Sequence, residues 1–330
     1  MTGLRWGILA TGGIAHAFTR DLKTAGLDVV AVGSRRAEAA EGFAAEFGIP
    51  RAHGSYEELA ADPDVDIVYV ATPHPSHAEN ALLLLEHGKH VLVEKPFTLN
   101  RAEAESIRAA AEERGLLVME AMWTRYLPHM RRIREIIAAG TLGEIRTVFA
   151  DHTQKISSDP THRLNALELG GGALLDLGIY PVSFMWDILG APTTVGATAR
   201  LAETGADTEV ATIFSHASGA VSTTISSSRG AGPNTAHIVG TDARIDIDRV
   251  WYSATSFRVT TPDGEVLEEF ASHVDGRGMQ YQALEAERII SEGRRDSDIL
   301  PLAQSVQIMG TLDDIRAAIG VTYPGENTHG

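Results

Sequence analysis

The feature that most constrains this chain is the regular alternation in its first 120 residues of short apolar runs with amphipathic segments. LRWGILA, DVVAVGS, DIVYVAT, HVLVEKP and LLVMEAMW read as strands. Between them IAHAFTRDLKTA, RRAEAAEGFAAEFG, PSHAENALLLLEHG and NRAEAESIRAAAEERG read as helices, with Gly48 ending the second and Asn100 capping the last. The strands are β-branched and almost wholly apolar, as required when both faces of a sheet are covered. Repeated strand–helix units of this kind predict a doubly wound parallel sheet over residues 1–122. The pattern then changes. MRRIREIIAAGTLG predicts a helix, EIRTVFADHTQ an alternating strand, and a further helix falls near 173–189. VGATARL, EVATIFSH, AVSTTISSS, AHIVGT, ARIDID, SFRVTT and EVLEEF are short, turn-separated and often alternating. Residues 123–330 are therefore expected to form an α/β domain with a large, mostly antiparallel open sheet, closed by helices near 278–292 and 301–319. Residues 323–330 are expected to fray.

Composition narrows the function classes. A chain of 330 residues with 44% apolar content can bury two cores. No apolar run reaches 18 residues and the N-terminus shows no secretory pattern, so neither a spanning helix nor an exported protein is expected. The absence of cysteine excludes disulfides, thiolate metal sites and cysteine nucleophiles, and suits a cytoplasmic protein. Of the net charge of −16, −7 falls in residues 1–120 and −9 in the remainder. Acidity spread so evenly argues against nucleic acid or an anionic membrane as partner.

Three stretches carry candidate chemistry. In GILATGGIA the dinucleotide fingerprint fits with Ala10, Gly12 and Ala15 at its three marked places. Gly12 would admit close backbone approach of a pyrophosphate at the start of a helix, Ala15 would pack helix on strand, and Ala10 must take a negative φ to serve. A strand–turn–helix with small residues for packing reads equally well from this stretch alone. The next strand ends GSRR, where an NAD enzyme usually carries an acidic residue. Ser34, Arg35 and Arg36 instead suit a 2′-phosphate, which favours NADP over NAD. ATPHPSH and EKP end the following strands on the same rim, and Lys95 there could bind a substrate hydroxyl or lower a neighbour's pKa. Pro96 hints at a fixed, cis turn aiming that lysine. His74 and His77 lack a third ligand at helpful spacing, so no metal site is expected. In GGGALLDLGIYP the glycines allow close approach of ligand or backbone, and Asp176 and Tyr180 stand i, i+4 on one helix face. Tyr180 would suit acid–base work near an ammonium, while an ordinary Asp–Tyr pair explains the spacing as simply.

In this order the motifs resemble those of the Gfo/Idh/MocA oxidoreductases: a glycine-rich turn, a TPxxxH-like segment ending at His77, EKP, and GGGxLxDxGxY. MEAMWTRYLP, GGGALLDLGIYP and MGTLDDIRAAIGVTYP are most similar to the branch of dimeric dihydrodiol dehydrogenases and NADP-dependent D-xylose dehydrogenases. The resemblance covers nearly the whole chain. It implies a Rossmann domain followed by an α/β domain whose open sheet forms a homodimer interface. It implies NADP held by Ala10, Thr11, Gly12, Gly13 and Ile14, by Ser34, Arg35 and Arg36, and along Thr72, Pro73 and His77, with Glu94, Lys95, Trp123 and Arg125 near the nicotinamide. Lys95 matches the central lysine, Tyr180 the acid/base and Asp176 its supporting acid. Trp123, Trp251, Lys95, Asp176 and Tyr180 would face a polyhydroxylated substrate: a sugar, polyol or dihydrodiol. Competing readings are a nicotinamide-dependent glycosidase with transient oxidation and a non-catalytic NADP-binding protein.

Overall fold

The computed structural model describes residues 3–326. The first of its two units contains β1 (Arg5–Leu9), α1 (Gly13–Thr24), β2 (Asp28–Gly33), α2 (Ala37–Phe47), β3 (Arg51–His53), α3 (Tyr56–Ala61), β4 (Ile67–Val70), α4 (His77–Glu86), β5 (His90–Glu94), α5 (Arg101–Arg114) and β6 (Val118–Ala121). Its six strands are all parallel, in the order β3-β2-β1-β4-β5-β6. The direction of winding reverses between β1 and β4, which makes the carboxyl ends there the natural ligand crevice. Residues of β4 and β6 are buried throughout, as expected for a sheet covered on both faces. The short pair β3 and α3 was not anticipated, because RAHGSYEELA has no apolar run; Ser55 caps α3 by accepting from the Glu58 N–H at 3.1 Å. Asn100 caps α5 as expected. It accepts from Glu103 N–H at 3.0 Å, while the Glu103 carboxylate accepts from Leu99 N–H at 3.1 Å.

The second unit contains α6 (Pro128–Ala138), β7 (Ile145–Thr153), α7 (Ile179–Leu189), β8 (Pro192–Leu201), β9 (Asp207–His216), β10 (Val221–Ser227), β11 (Ala236–Gly240), β12 (Arg244–Ile247), β13 (Phe257–Thr260) and β14 (Val266–Phe270). Its eight strands run β14-β13-β12-β11-β7-β10-β9-β8, antiparallel except for the parallel pair β7 and β10. The segment Leu167–Leu189 is long and apolar enough to cross a membrane, but its most apolar 18-residue stretch is 83% buried inside the protein as a core element.

Two expectations are corrected. The units are not the contiguous stretches 1–122 and 123–330. Residues through Tyr126 group with the first unit, and so does the returning segment Val274–Val306, which carries α8 (Gln280–Ser291) and the start of α9 (Leu302–Ile319). Hydrogen bonds explain the return. Trp6 donates its indole N–H to Glu287 at 3.0 Å, and the buried Asp21 carboxylate accepts from the N–H groups of Arg277 and Met279 at 3.1 and 2.8 Å. Gly276 has φ +70, and a Cβ there would meet Asp21 at 2.3 Å. Nor does the chain fray from 323. Tyr323 is buried, its hydroxyl donates to the Gly171 carbonyl at 2.8 Å, and Glu326 pairs with Arg316 at 2.6 Å. Residues 327–330 lie outside the described residues.

Candidate active site

In the first unit, the turn from β1 to α1 presents an open backbone. Gly12 precedes α1 without any side-chain cap, and a Cβ on Gly12 or Gly13 would meet no protein atom within 4 Å. Packing therefore does not require either glycine, whereas a phosphate drawn close to helix N–H groups does. Gly7 and Gly33 are the contrast, because a Cβ on either would press into the Leu59 side chain. Thr11 and Ile14 flank the turn, half-buried. Ala10 overturns its expected conformation. Its φ is +85, and its N–H donates to the Gly33 carbonyl at 2.8 Å. The first fingerprint position keeps a glycine-like backbone and an alanine carries it, at roughly 1 kcal/mol of strain.

Around the rim, Ser34 is buried beyond β2, and Arg35 and Arg36 are exposed where α2 begins. The Arg35 guanidinium lies near the Tyr56 hydroxyl, and its charge opposes the burial that pushes this phenol up. Beyond β4, Pro73 is exposed and Thr72 buried, with the Thr72 hydroxyl accepting from Asn80 at 3.3 Å. His77 follows at the start of α4. It is completely buried, with Nδ1 2.9 Å from the Pro96 carbonyl and Nε2 2.9 Å from the Thr72 carbonyl. Burial lowers its proton affinity, against the two carbonyls that favour the charged ring. Glu94 is also turned inward and accepts from the Tyr69 hydroxyl. Lys95 follows it, half-buried, and the Lys95–Pro96 bond is cis as read from the sequence. Trp123 and Arg125 are nearly inaccessible. The Arg277 guanidinium lies 5.7 Å from the Trp123 ring centre, and Arg125 donates to the Ile299 carbonyl at 3.5 Å.

In the second unit, the glycine triplet serves internal packing. A Cβ on Gly171 would meet the Ala166 and Arg163 carbonyls at 2.7 Å, and one on Gly172 would meet Asp207 at 2.3 Å. The buried Asp207 carboxylate accepts from Leu174 N–H at 2.6 Å. It thus secures the start of a π-helical turn, Leu174–Gly178, that leads into α7. Such turns often mark functional sites. Asp176 lies within this turn and receives both Arg163 guanidinium nitrogens, at 3.1 and 3.2 Å. Tyr180 follows in the first turn of α7, against the edge of His152 at 4.9 Å between ring centres and near Tyr252 at 5.3 Å. His152 stacks on Tyr252 at 3.7 Å, and Gln154 lies 2.9 Å from its Nε2. Trp251 lies close by. It is fully buried, packs on Phe184 and donates its N–H to the Asp151 carbonyl at 2.7 Å, so its neighbour Tyr252 is the aromatic beside Tyr180. Reading the sequence also missed Arg163 and His152. The latter was within reach, since Val148, Ala150 and His152 occupy the buried register of the alternating strand β7. Among the described residues no His, Asp and Glu group could hold a metal ion.

Two outcomes follow. Ala10→Gly should leave folding stability unchanged or raise it by up to about 1 kcal/mol, whereas Ala10→Val should lower it by more than that; urea denaturation reads both. Burial pushes the Asp207 carboxyl from 3.8 up to about 6. The folded chain thus holds this proton more tightly than the unfolded chain, and ionisation weakens folding as pH rises from 3.8 towards 6. Across that window wild type should lose roughly 2 kcal/mol relative to Asp207→Asn. Denaturation curves at stepped pH measure the difference, and one that does not change with pH contradicts the assignment.

Comparison with known proteins agrees with this geometry. Residues 4–122 match the oxidoreductase family GFO_IDH_MocA, NAD-binding Rossmann fold, and residues 130–246 match the GFO/IDH/MocA C-terminal domain. The chain is 39% identical to trans-1,2-dihydrobenzene-1,2-diol dehydrogenase of Mus musculus, over 97% of this chain and 98% of that one. The Bos taurus protein of the same name is 37% identical at the same coverage. Among solved structures, KijD10, a 3-ketoreductase from Actinomadura kijaniata in complex with NADP and TDP-benzene, superposes with a TM-score of 0.84 at 28% identity, covering 96% of this chain and 98% of that one. Aldose-aldose oxidoreductase from Caulobacter crescentus gives 0.86 at 25% identity, over 96% and 97%. With both family models matched in order and relatives aligned along almost its full length, this chain belongs to the GFO/IDH/MocA oxidoreductases and is a dehydrogenase or reductase that moves hydride between a hydroxyl or carbonyl carbon and a nicotinamide.

Proposed function

We propose that the enzyme is NADP-dependent and acts on a polyhydroxylated small molecule: a sugar, a polyol or a trans-dihydrodiol. The reading is carried by full-length similarity to proteins named dihydrodiol dehydrogenase in a chain that has Lys95, Asp176 and Tyr180 at the matching motifs. NADP is supported by the end of β2. There a hydroxyl and two guanidinium groups, Ser34, Arg35 and Arg36, stand where a carboxylate would repel a 2′-phosphate. The open backbone at Gly12 and Gly13 would take the pyrophosphate, flanked by Ala10, Thr11 and Ile14, with Thr72 and Pro73 further along the rim.

The bound nicotinamide supplies the acceptor or donor of hydride. Lys95 orients the substrate oxygen and favours its anionic character. Tyr180 takes the hydroxyl proton in oxidation and returns it in reduction. The packing of His152 and Tyr252 fixes the Tyr180 ring, and the two-point pair with Arg163 fixes Asp176. A panel of monosaccharides, inositols and dihydrodiols with NADP⁺ or NAD⁺, followed at 340 nm (the reduced-nicotinamide band), tests the reading. Net reduction of NADP⁺ is expected, with weaker use of NAD⁺. Lys95→Ala and Tyr180→Phe should each reduce kcat by about 100-fold or more, with NADP Kd little changed. Undiminished turnover in Lys95→Ala refutes the assignment.

We also propose a homodimer through the outer face of the eight-stranded sheet, in a protein of the cytoplasm, a location that suits a chain without cysteine. Phe149, Ile213 and Ile225, on adjacent strands β7, β9 and β10, are 42%, 56% and 51% exposed on this face. An apolar stripe of this kind is a recognised mark of an interaction surface. Light scattering should give twice the 35.3 kDa chain mass, and Ile213→Asp with Ile225→Asp should halve it. A monomeric wild type removes the proposal.

A further inference from the structure

MEAMW carries an acidic residue that the proposed chemistry leaves unused. Glu120, in β6, is almost completely buried and stands opposite Val93 of β5, one residue before Glu94 and two before Lys95. The backbone N–H of Phe97 lies beside its carboxyl and favours the charged form. The carbonyl of that same peptide group is the Pro96 oxygen, 2.9 Å from His77 Nδ1. The peptide immediately after the Lys95–Pro96 bond is therefore flanked on both sides by buried titratable side chains from different elements, His77 at its carbonyl and Glu120 beside its N–H. His77 extends the hold, because its other nitrogen lies against the Thr72 carbonyl on the neighbouring rim loop.

A carboxyl buried in a parallel sheet is expensive to keep there. The Glu120 Oε1 has no hydrogen-bond partner among the described residues, and the Ser305 hydroxyl lies beside the carboxyl and favours its charged form. The groups facing Glu120 are Glu94 on β5, Arg125 and Tyr126 after β6, and Ser305 on α9; Lys95 faces His77. Burial, with a smaller contribution from the Glu94 charge, pushes the Glu120 carboxyl up to about 7, and the Ser305 hydroxyl, Arg125 and the Phe97 N–H oppose it. A group poised there changes charge near neutrality, on the strand beside the one that leads into Lys95.

We propose that Glu120 and His77 are positioning residues for Lys95, clamping the Pro96–Phe97 peptide from both sides and so fixing the turn that presents the ammonium. The proposal rests on the reading of Lys95 as the group that orients substrate. Glu120→Leu removes the acceptor, and Glu120→Gln keeps an acceptor without the charge. In protein loaded with NADP, Glu120→Leu should lower kcat about 10- to 100-fold with NADP Kd unchanged. Glu120→Gln should recover most of that loss and flatten the pH dependence of kcat around neutrality. A purely structural role predicts a lower Tm with kcat and its pH profile unmoved, and that result overturns the proposal.

Should Glu120→Leu not fold, wild type still decides. Pro-Phe occurs once in the sequence, so protein labelled with carbonyl-¹³C proline and ¹⁵N phenylalanine reports the Phe97 amide alone. That signal should titrate with a midpoint near 7 and cease to do so in Glu120→Gln. An amide signal unmoved between about pH 5.5 and 8.5, or still titrating in the variant, overturns the clamp. Lys95→Ala measured in parallel separates the two claims. If it turns over normally the role of Lys95 fails, while the amide titration still reports on the clamp.

Discussion

Parallelism of the six-stranded sheet is the constraint on which the cofactor half depends. When every strand runs the same way, all their carboxyl ends share one rim. Ala10, Ser34, Thr72, Lys95 and Trp123 come from five separate segments of the chain, yet each is the first or second residue beyond a strand of this sheet. The sheet is dry on both faces, so the rim is where polar groups can meet solvent or ligand without losing backbone hydrogen bonds. Polar groups that point inward instead, such as His77 and Glu94, must find partners inside, and both do.

The second unit solves a different problem. Its sheet is mostly antiparallel, so one face packs inward and the other is left for water or a partner. The inward face supplies His152 from β7, and α7 brings Tyr180 against it. Holding α7 so close requires the backbone of Gly171 and Gly172 to pass where no side chain fits, with Asp207 tying down the turn. The same strands expose Phe149, Ile213 and Ile225 on the opposite face. A single alternating register thus sorts one set of residues to the site and the other to the surface.

Much of this was legible in the sequence because it depends on patterns that repeat. Apolar runs separated by amphipathic segments gave the parallel strands, and alternation gave β7 to β14. Asn100 and Gly48 marked helix ends through local chemistry that needs no tertiary context. What escaped depends on contacts between residues far apart in sequence. The positive φ of Ala10 follows from a hydrogen bond to Gly33, and the inward turn of His77 from the carbonyl of Pro96. Trp251 and Tyr252 are adjacent aromatics that only the fold can assign to core and site. Arg163 lies in a loop without periodicity, and its partner Asp176 gave no sign of it.

The returning segment of the first unit bears on how the protein is made. The Trp6 indole is tied to Glu287, and Asp21 to the backbone at Arg277 and Met279. These partners leave the ribosome about 250 to 280 residues after the groups they satisfy, an interval of some 15 to 50 seconds at ordinary rates of synthesis. During that time the nascent sheet is already long enough to assemble, yet Asp21 lacks the N–H groups that offset its burial. The second unit, inserted between, can complete its sheet first but lacks most of α9. Both halves are therefore finished by the same last stretch of chain, so premature release would leave neither unit whole.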